Sequence, residues 1–176
     1  WIEELQRDYS HPSIIGWCPL NETYQQMTDS ITTLDDVSRG MFFAAKAVDR
    51  TRPVIDASGY SHRVAETDVY DSHDYEQDPV KFEKQVGIAA SCPFVNTLEG
   101  NSMSLPYNGQ PYFVSEYGGI WWNPDLGDRE NAGSESSNSW GYGPSIHSEE
   151  EFYERFARLT EVLCANPKMF GYCYTQ

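Results

Sequence analysis

Two glutamates, Glu22 and Glu116, are the residues of this chain best placed to do chemistry. Each follows a short apolar run that is typical of a buried strand, residues 13–20 for Glu22 and 112–115 for Glu116. Because parallel strands bring their carboxyl ends to one face, the two side chains can converge. Such a pair can cleave a glycosidic bond: one acid protonates the leaving oxygen, and the other attacks the anomeric carbon or activates a water. For either glutamate alone, a helix cap or an exposed loop residue is the favoured interpretation, whereas the pair leaves this interpretation and the catalytic one equally open.

The apolar periodicity predicts the elements that position these glutamates. Helices are predicted over residues 1–9, 34–50, 79–90 and 149–165, and strands over residues 13–20, 52–57, 68–72, 112–116 and 169–175. Pro79 and Ser148 mark the starts of the last two helices. This alternation is typical of parallel β/α architecture, either an open doubly wound sheet or part of an eight-stranded barrel. No glycine-rich phosphate loop follows a strand, which disfavours a nucleotide-binding sheet.

Three finer predictions concern burial. Residues 13–20 are almost wholly apolar, which is typical of a strand buried on both faces. Helix 34–50 is predicted to be capped by Asp35 or Asp36 and to bury one apolar face. That face would consist of Val37, Met41, Ala44, Ala45 and Val48. Cys18 and Cys173 lie in apolar runs and are predicted to be small core residues.

Composition excludes several classes of function. The chain has 176 residues, enough for one domain, and a net charge of −15. Nucleic acids and anionic membrane surfaces both need a basic footprint, so neither is an expected partner. No run of about 18 apolar residues indicates a membrane span, and no pair of cysteines has the C-x-x-C spacing of a zinc site. Aromatic residues make up 14% of the chain, which suits stacking on sugar rings and a large core equally well.

Two segments resemble glycoside hydrolase family 2, which includes β-galactosidases, β-glucuronidases and β-mannosidases. The family's acid/base signature is similar to residues 11–22, which read HPSIIGWCPLNE. Its nucleophile strand is similar to residues 111–118, which read PYFVSEYG. The chain departs from the pattern at Tyr9 and Ser10, where Arg-Asn is usual, and at Cys18, where a small residue is usual. These changes fall before and within the strand and leave Glu22 in place.

The resemblance implies a role for each matching residue. Glu116 would be the nucleophile, Glu22 the acid/base and Asn21 a ligand of the sugar 2-hydroxyl. Residues 68–75 are similar to the family's sixth strand, which implies that Tyr75 hydrogen-bonds the nucleophile. Tyr174 stands where many members carry a substrate-stacking tryptophan.

Two further residues are candidates for the substrate site. His73 is predicted to hydrogen-bond a sugar hydroxyl. Trp121 could line a sugar subsite, as could Trp122, or either could anchor the long loop over residues 118–147. His73 and Asp71 could be metal ligands, but no third ligand has suitable spacing. We therefore predict no metal and no cofactor.

The fold that the resemblance implies is a (β/α)8 TIM barrel, of which residues 1–176 would form a part carrying strands four to eight. The first three strands, the last helix and the family's N-terminal β-sandwich domains are expected to lie outside this chain. The open sheet edge of such a part-barrel would favour association into a homo-oligomer.

The predicted function is a retaining exo-acting β-glycosidase with a carbohydrate substrate. A neutral sugar such as a β-galactoside is favoured, because no basic cluster that could bind a sugar carboxylate lies near the motifs. One alternative is a catalytically silent fragment or sugar-binding module. The other is an open-sheet α/β enzyme of different chemistry, which a carboxyl separation above about 10 Å would favour. The sequence indicates no particular localisation.

Overall fold

The computed structural model describes residues 1–24, 33–90, 93–123 and 140–175. In chain order the elements are helices α1 (Ile2–Asp8) and α2 (Thr33–Val48), strand β1 (Tyr70–Asp74), helix α3 (Pro79–Val86), strands β2 (Thr97–Leu98), β3 (Asn101–Ser102) and β4 (Tyr112–Gly118), helix α4 (Glu149–Ala165) and strand β5 (Met169–Thr175). The fold is mixed α/β around a small parallel sheet, and the four predicted helices are confirmed. Among the described residues, no helix is long and apolar enough to cross a membrane.

A parallel sheet of three strands, in the order β1-β4-β5, holds the C-terminal part of the molecule together. In the N-terminal part, the described residues form two isolated parallel bridges, Trp17 to Val54 and Asn21 to Ser58. The predicted strands over residues 13–20 and 52–57 therefore form no regular ladder. Between the two bridges, Pro19 has no amide hydrogen to donate. On the edge of residues 52–57 away from Trp17, a side chain replaces a ladder partner, because the Val54 amide donates to the Asp68 carboxylate at 2.8 Å.

The burial predictions need three corrections. The segment 13–20 is not buried on both faces, because Ile15 is 80% exposed while Trp17 is 7% exposed. Helix α2 begins at Thr33, so Asp35 and Asp36 lie in its first turn and do not cap it. Its buried residues are Ser38, Phe42 and Ala45, whereas the predicted Val37 is exposed.

The cysteine prediction was also wrong, since Cys18 and Cys173 are both exposed. Both line a face of the sheet that no helix of the described residues covers. An apolar cavity of 470 Å³ lies on this face, lined by Ile15, Gly16, Trp17, Cys18, Pro53, Ile55, Val69, Phe113, Phe170, Gly171, Tyr172 and Cys173. We call the face of the sheet that carries this cavity the open face.

Two helices begin at capping hydrogen bonds whose residues are recognisable in the sequence. The Asp78 carboxylate accepts from the Val80 and Lys81 amides, with Pro79 at the first helical position. The Ser148 hydroxyl accepts from the Glu151 amide at the start of α4. The short hairpin β2–β3 was not predicted. It turns at Glu99 and Gly100, which both have positive φ, as a two-residue hairpin turn requires.

Two apolar clusters pack the helices onto the covered side of the structure. The first joins α3 and α4 to β4 through Phe82, Val86, Tyr112, Val114, Tyr117, Leu159 and Leu163. The second joins α1 and α2 to the irregular segments through Leu5, Trp17, Phe42, Ala45, Val54 and Val64. Burial of these side chains, at about 1.5–3 kcal/mol each, fixes the segments that carry Glu22 and Glu116.

Candidate active site

Glu22 lies at the carboxyl end of the first irregular segment and has a left-handed backbone, with φ of 50°. Its amide donates to the Ser58 carbonyl at 3.0 Å, which ties it to the neighbouring segment. A non-glycine residue in this region costs of order 1–3 kcal/mol and persists only where surrounding contacts fix it. The side chain is one-third exposed, so it is both held at its base and open to a ligand.

Glu116 reaches the same area because strand β4 contains a bulge. Ser72 pairs with Val114 but His73 pairs with Glu116, so Ser115 is an extra residue in the ladder. Val114 and Tyr117 both pack in the helix-covered cluster, and the two residues between them are only half-buried. In a regular strand Glu116 would alternate with Ser115 and point the same way as Val114. The bulge instead turns Glu116 away from this cluster and towards His73 and Tyr75.

His73, at the end of β1, lies between the two glutamates. Its Nδ1 is 2.8 Å from Glu22 Oε1 and 3.4 Å from Glu116 Oε2. One atom of each of the three side chains lies within 4.8 Å of the others. The ring is buried, and its Nε2 has no hydrogen-bond partner among the described residues. The structure therefore brings His73 to the two carboxylates themselves.

Tyr75 donates a short hydrogen bond to Glu116 Oε2. Its ring stacks on Tyr142 with centroids 3.9 Å apart, which fixes the direction of the hydroxyl. Burial, followed by the hydrogen bond to and charge of Glu116, raises the pKa of Tyr75 well above its usual value. The phenol therefore stays protonated and is a permanent donor to this carboxylate.

Tyr60 borders the cluster on the Glu22 side; the sequence places it in a polar group after a predicted strand but predicts no role for it. Its ring meets His73 edge-on, with centroids 5.9 Å apart. Burial and the negative charge of Glu22 raise its pKa. Tyr142 was also missed, since both tyrosines lie in irregular segments. In the sequence, Tyr60 stands out only as a polar residue shortly after a predicted strand.

The remaining predicted site residues divide into two groups. Asn21 is exposed beside Glu22, and its side-chain oxygen accepts from Ser58 Oγ at 2.6 Å. Tyr174 is not brought to the carboxylates: its ring packs against Tyr117 and Phe156, and its hydroxyl accepts from the Ile120 amide. These contacts give its proposed stacking role no support.

The tryptophans after β4 lie where the chain turns towards α4. Trp121 is in tight contact with Gly141, where an added Cβ would be 2.3 Å from the Trp121 Cα. The Trp122 ring packs on Phe152 of α4, with centroids 5.3 Å apart. Trp122 therefore anchors this part of the loop, and residues 124–139 of the same loop lie outside the described residues.

The cluster offers two carboxylates and one imidazole, a donor set that on distance alone could hold a metal ion. The Nδ1 to Oε1 distance of 2.8 Å is that of a hydrogen bond. The arrangement holds two carboxyl groups close together. The Glu22 carboxyl group contacts the His73 imidazole, and the Glu116 carboxylate accepts a hydrogen bond from the Tyr75 phenol.

Comparison with known proteins supports the fold. No protein-family model matches the chain, and no curated protein matches it. A β-glucuronidase of Bacteroides uniformis is similar with a TM-score of 0.60 and 20% identity, over 98% of this chain and 20% of that one. A β-D-glucuronidase of Dictyoglomus thermophilum is similar with a TM-score of 0.56 and 19% identity, over 98% of this chain and 27% of that one. A family 2 β-galacturonidase of Eisenbergiella tayi is similar with a TM-score of 0.53 and 17% identity, over 99% of this chain and 28% of that one.

These similarities extend over nearly the whole chain but over a minor part of each neighbour. The chain spans between 20% and 28% of the length of these three structures. At these identities the likeness concerns the fold. The chain therefore has the mixed α/β fold of a segment found in family 2-like β-glycosidases.

Proposed function

We propose that this chain is the part of a retaining β-glycosidase of the family 2 type that carries both catalytic carboxyl groups. The observation that supports this most directly is the approach of one Glu22 oxygen and one Glu116 oxygen to within 4.8 Å. Retaining enzymes hold the two carboxyl groups about 5–5.5 Å apart, whereas inverting enzymes leave about 6.5–9.5 Å for a water. The short separation favours a covalent double displacement.

In the first step, a Glu116 oxygen bonds to the anomeric carbon while the bond from that carbon to the leaving oxygen breaks. Glu22 gives its proton to that leaving oxygen. The donor hydrogen bond from Tyr75 keeps the Glu116 carboxylate oriented for attack. Asn21, exposed next to Glu22, would contact the sugar 2-hydroxyl.

In the second step, Glu22 acts as a base and removes a proton from water. The water oxygen bonds to the anomeric carbon, and the bond to Glu116 breaks. The sugar leaves with its original anomeric configuration, Glu22 is again protonated, and Glu116 is again a carboxylate. His73 contacts both carboxyl groups and so can hold their separation through both steps.

The architecture we propose is a partial (β/α)8 barrel. Neighbouring parallel segments follow chain order in both parts of the structure, residues 17–21 beside 54–58 in one and β1, β4 and β5 in the other. A doubly wound sheet would reverse its order at a switch point. Glu22, His73 and Glu116 all lie at carboxyl ends of these segments, where barrel enzymes carry their sites. The remaining strands would belong to other parts of the complete protein.

For the substrate we propose a neutral sugar of the β-galactoside type. Among the described residues, the ion pairs of Glu22 and Glu116 are to His73 alone, and no lysine or arginine contacts them. One observation favours a uronide as the second candidate. Lys81 and Arg155 line a 510 Å³ cavity together with Tyr75 and Tyr142, and cations beside the site could bind a sugar carboxylate.

A substrate panel tests the proposal in the complete protein. Aryl β-galactoside, β-glucoside, β-mannoside, β-glucuronide and β-galacturonide would be compared, with the first-formed anomer observed by NMR. We expect turnover of the galactoside with retention, and labelling of Glu116 by a 2-fluoro glycoside detected by peptide mass. Inversion of configuration would overturn the mechanism. Binding without turnover of any substrate would favour the silent sugar-binding module.

A further inference from the structure

A second ionic cluster lies buried behind the two glutamates and involves none of the predicted catalytic residues. His62 Nδ1 is 2.8 Å from Asp56 Oδ1, and His62 Nε2 is 3.0 Å from Asp71 Oδ1. All three side chains are at most 1% exposed. The sequence analysis assigned no role to His62, because a single histidine in a loop carries no recognisable pattern.

His62 is enclosed between the two aspartates. Burial alone would lower its pKa, but the hydrogen bonds and charges of Asp56 and Asp71 outweigh burial and raise the pKa to about 10. His62 Nδ1 contacts the Asp56 carboxylate, and His62 Nε2 lies 3.0 Å from both the amide nitrogen and the Oδ1 of Asp71. A buried aspartate that lost such a partner would be strongly destabilising, so the contact with His62 stabilises Asp71 at this position.

Asp71 also binds the two segments that carry the catalytic glutamates. Its carboxylate accepts from the Gly59 amide at 3.0 Å and from the Ser115 hydroxyl. Gly59 follows Ser58, whose carbonyl accepts from the Glu22 amide. Ser115 is the bulge residue of β4 and directly precedes Glu116. One buried carboxylate therefore links the backbone at both sides of the site.

The contact with Ser115 bears directly on where Glu116 points. The bulge turns both Ser115 and Glu116 away from the helix-covered cluster, and bulges beside active sites commonly re-aim a side chain in this way. An extra residue in a ladder has no backbone partner of its own. The Asp71 carboxylate holds this extra residue instead by accepting a hydrogen bond from the Ser115 side chain.

We propose that Asp71, held in place by its contact with His62, is a positioning residue that fixes the β4 bulge and thereby sets the distance from Glu116 to Glu22. This inference rests on the proposed function, since it concerns the geometry of that carboxyl pair. Neither Asp71 nor His62 contacts the substrate or the reacting atoms. They act through Ser115 and Gly59.

The test compares two serine substitutions in the complete protein. Ser115→Ala removes the link from Asp71 to the bulge and leaves the His62 cluster intact. Ser72→Ala is the matched control: Ser72 lies on β1, and its hydroxyl contacts Phe94 O and Tyr112 OH on the helix-covered side. We expect Ser115→Ala to lower kcat by about 10- to 100-fold with KM little changed. Ser72→Ala should lower Tm and leave kcat near wild type, and Ser115→Thr, which retains a hydroxyl, should keep most of kcat.

A double-mutant cycle separates positioning from a general structural effect. Azide can replace the missing nucleophile in Glu116→Ala and restore part of the turnover. If Ser115 acts by placing Glu116, adding Ser115→Ala to that variant leaves the azide-rescued rate unchanged. An equal loss in both backgrounds, or wild-type kcat in Ser115→Ala, would overturn the inference while leaving the proposed function intact. Wild-type turnover by Glu116→Ala without azide would instead overturn the proposed function, and the inference with it.

Asp71→Asn extends the same test. It keeps the shape of the side chain but replaces one of the two oxygens that contact His62, Gly59 and Ser115 with an amide nitrogen, so a larger loss of kcat than in Ser115→Ala is expected, together with a lower Tm. Because Asp71→Asn could lose activity by unfolding, the inference is tested by the comparison of Ser115→Ala with Ser72→Ala and by the double-mutant cycle with azide.

Discussion

The two glutamates of the site are carried by regions of very different regularity. Glu116 lies on β4, which is paired along both edges, by β1 and by β5, and packed against two helices. Glu22 lies at the end of a segment held by two isolated bridges, with its own φ in the left-handed region. The ordered region thus fixes the proposed nucleophile, which would have to attack along one line, while the irregular region holds the proposed acid/base, which would only transfer a proton.

Removing either glutamate is expected to have the largest effect on turnover, and the two losses should differ between the ordered and the irregular region. Glu116→Ala is expected to lower turnover of every aryl glycoside by roughly 10⁴-fold or more, because no covalent intermediate can form. Glu22→Ala should cost about 10²–10⁴-fold for poor leaving groups and far less for a dinitrophenyl leaving group, which needs no proton. Steady-state kinetics over a series of leaving groups measures the difference. Glu161→Ala, at an exposed position of α4, is the control, and equal leaving-group dependence in both variants would contradict the assignment.

Ile15 tests whether the irregular region is as open in the complete protein as it is in this chain. The partial-barrel proposal has further strands covering the open face of the sheet. Ile15→Ala should then lower the free energy of unfolding by about 2–5 kcal/mol, the cost of emptying a core site. Urea denaturation of the complete protein measures this, with Ile88→Ala, also exposed here, as the comparison. A change below about 0.5 kcal/mol, typical of a surface position, would contradict the barrel.

Gly59→Ala tests the contact between the two regions. Gly59 has φ of 85°, and an added Cβ would lie 2.3 Å from His73 Nδ1. The imidazole would have to move away from Glu22, and a displacement of about 1 Å can cost about 100-fold in rate. We expect kcat to fall by about that factor, measured with the best substrate of the panel. Gly100→Ala is the control, since its φ is 81° but nothing lies within 4 Å of an added Cβ. Equal kcat in the two variants would show that the position of His73 is unimportant.

In the ordered region, the buried carboxyl group of Asp74 lowers the stability of the fold when it is ionised. Burial raises the pKa of Asp74 to about 6, and its Oδ2 has no partner among the described residues. Because the folded pKa exceeds the unfolded one, the protonated carboxyl favours folding below about pH 4, and this contribution is lost as pH rises through 6. Asp74→Asn should therefore raise stability at pH 7.5 by up to about 2 kcal/mol and change little at pH 4.

Thermal unfolding at the two pH values checks this prediction, with Asp36→Asn, at an exposed position in the first turn of α2, as the control. A stabilisation of Asp74→Asn that is the same at both pH values would show that the charge is not its cause.

Sequence patterns predicted the ordered region far better than the irregular one. Helix α4 begins and ends where Ser148 and the acidic first turn predicted, and β5 covers the predicted residues 169–175. The predicted strands near Trp17 and Val54 were only bridges: Pro19 has no amide hydrogen to donate between them, and on the other edge the Val54 amide donates to the Asp68 side chain instead of to a strand. That side-chain contact spans 14 residues and leaves no local pattern. Helix α2 was found, but its buried face was rotated from Val37 towards Phe42.

Local sequence alone determined where helices start, which runs are apolar and that Glu22 and Glu116 end two parallel segments, since caps and periodicity act over a few neighbouring residues. Only the tertiary structure decided how those glutamates meet. The bulge at Ser115, the position of His73 between both carboxyl groups and the buried pairing of His62 with Asp71 all depend on contacts between distant parts of the chain. The free energy of such contacts comes from burial and charge pairing in three dimensions, which residue order alone does not reveal.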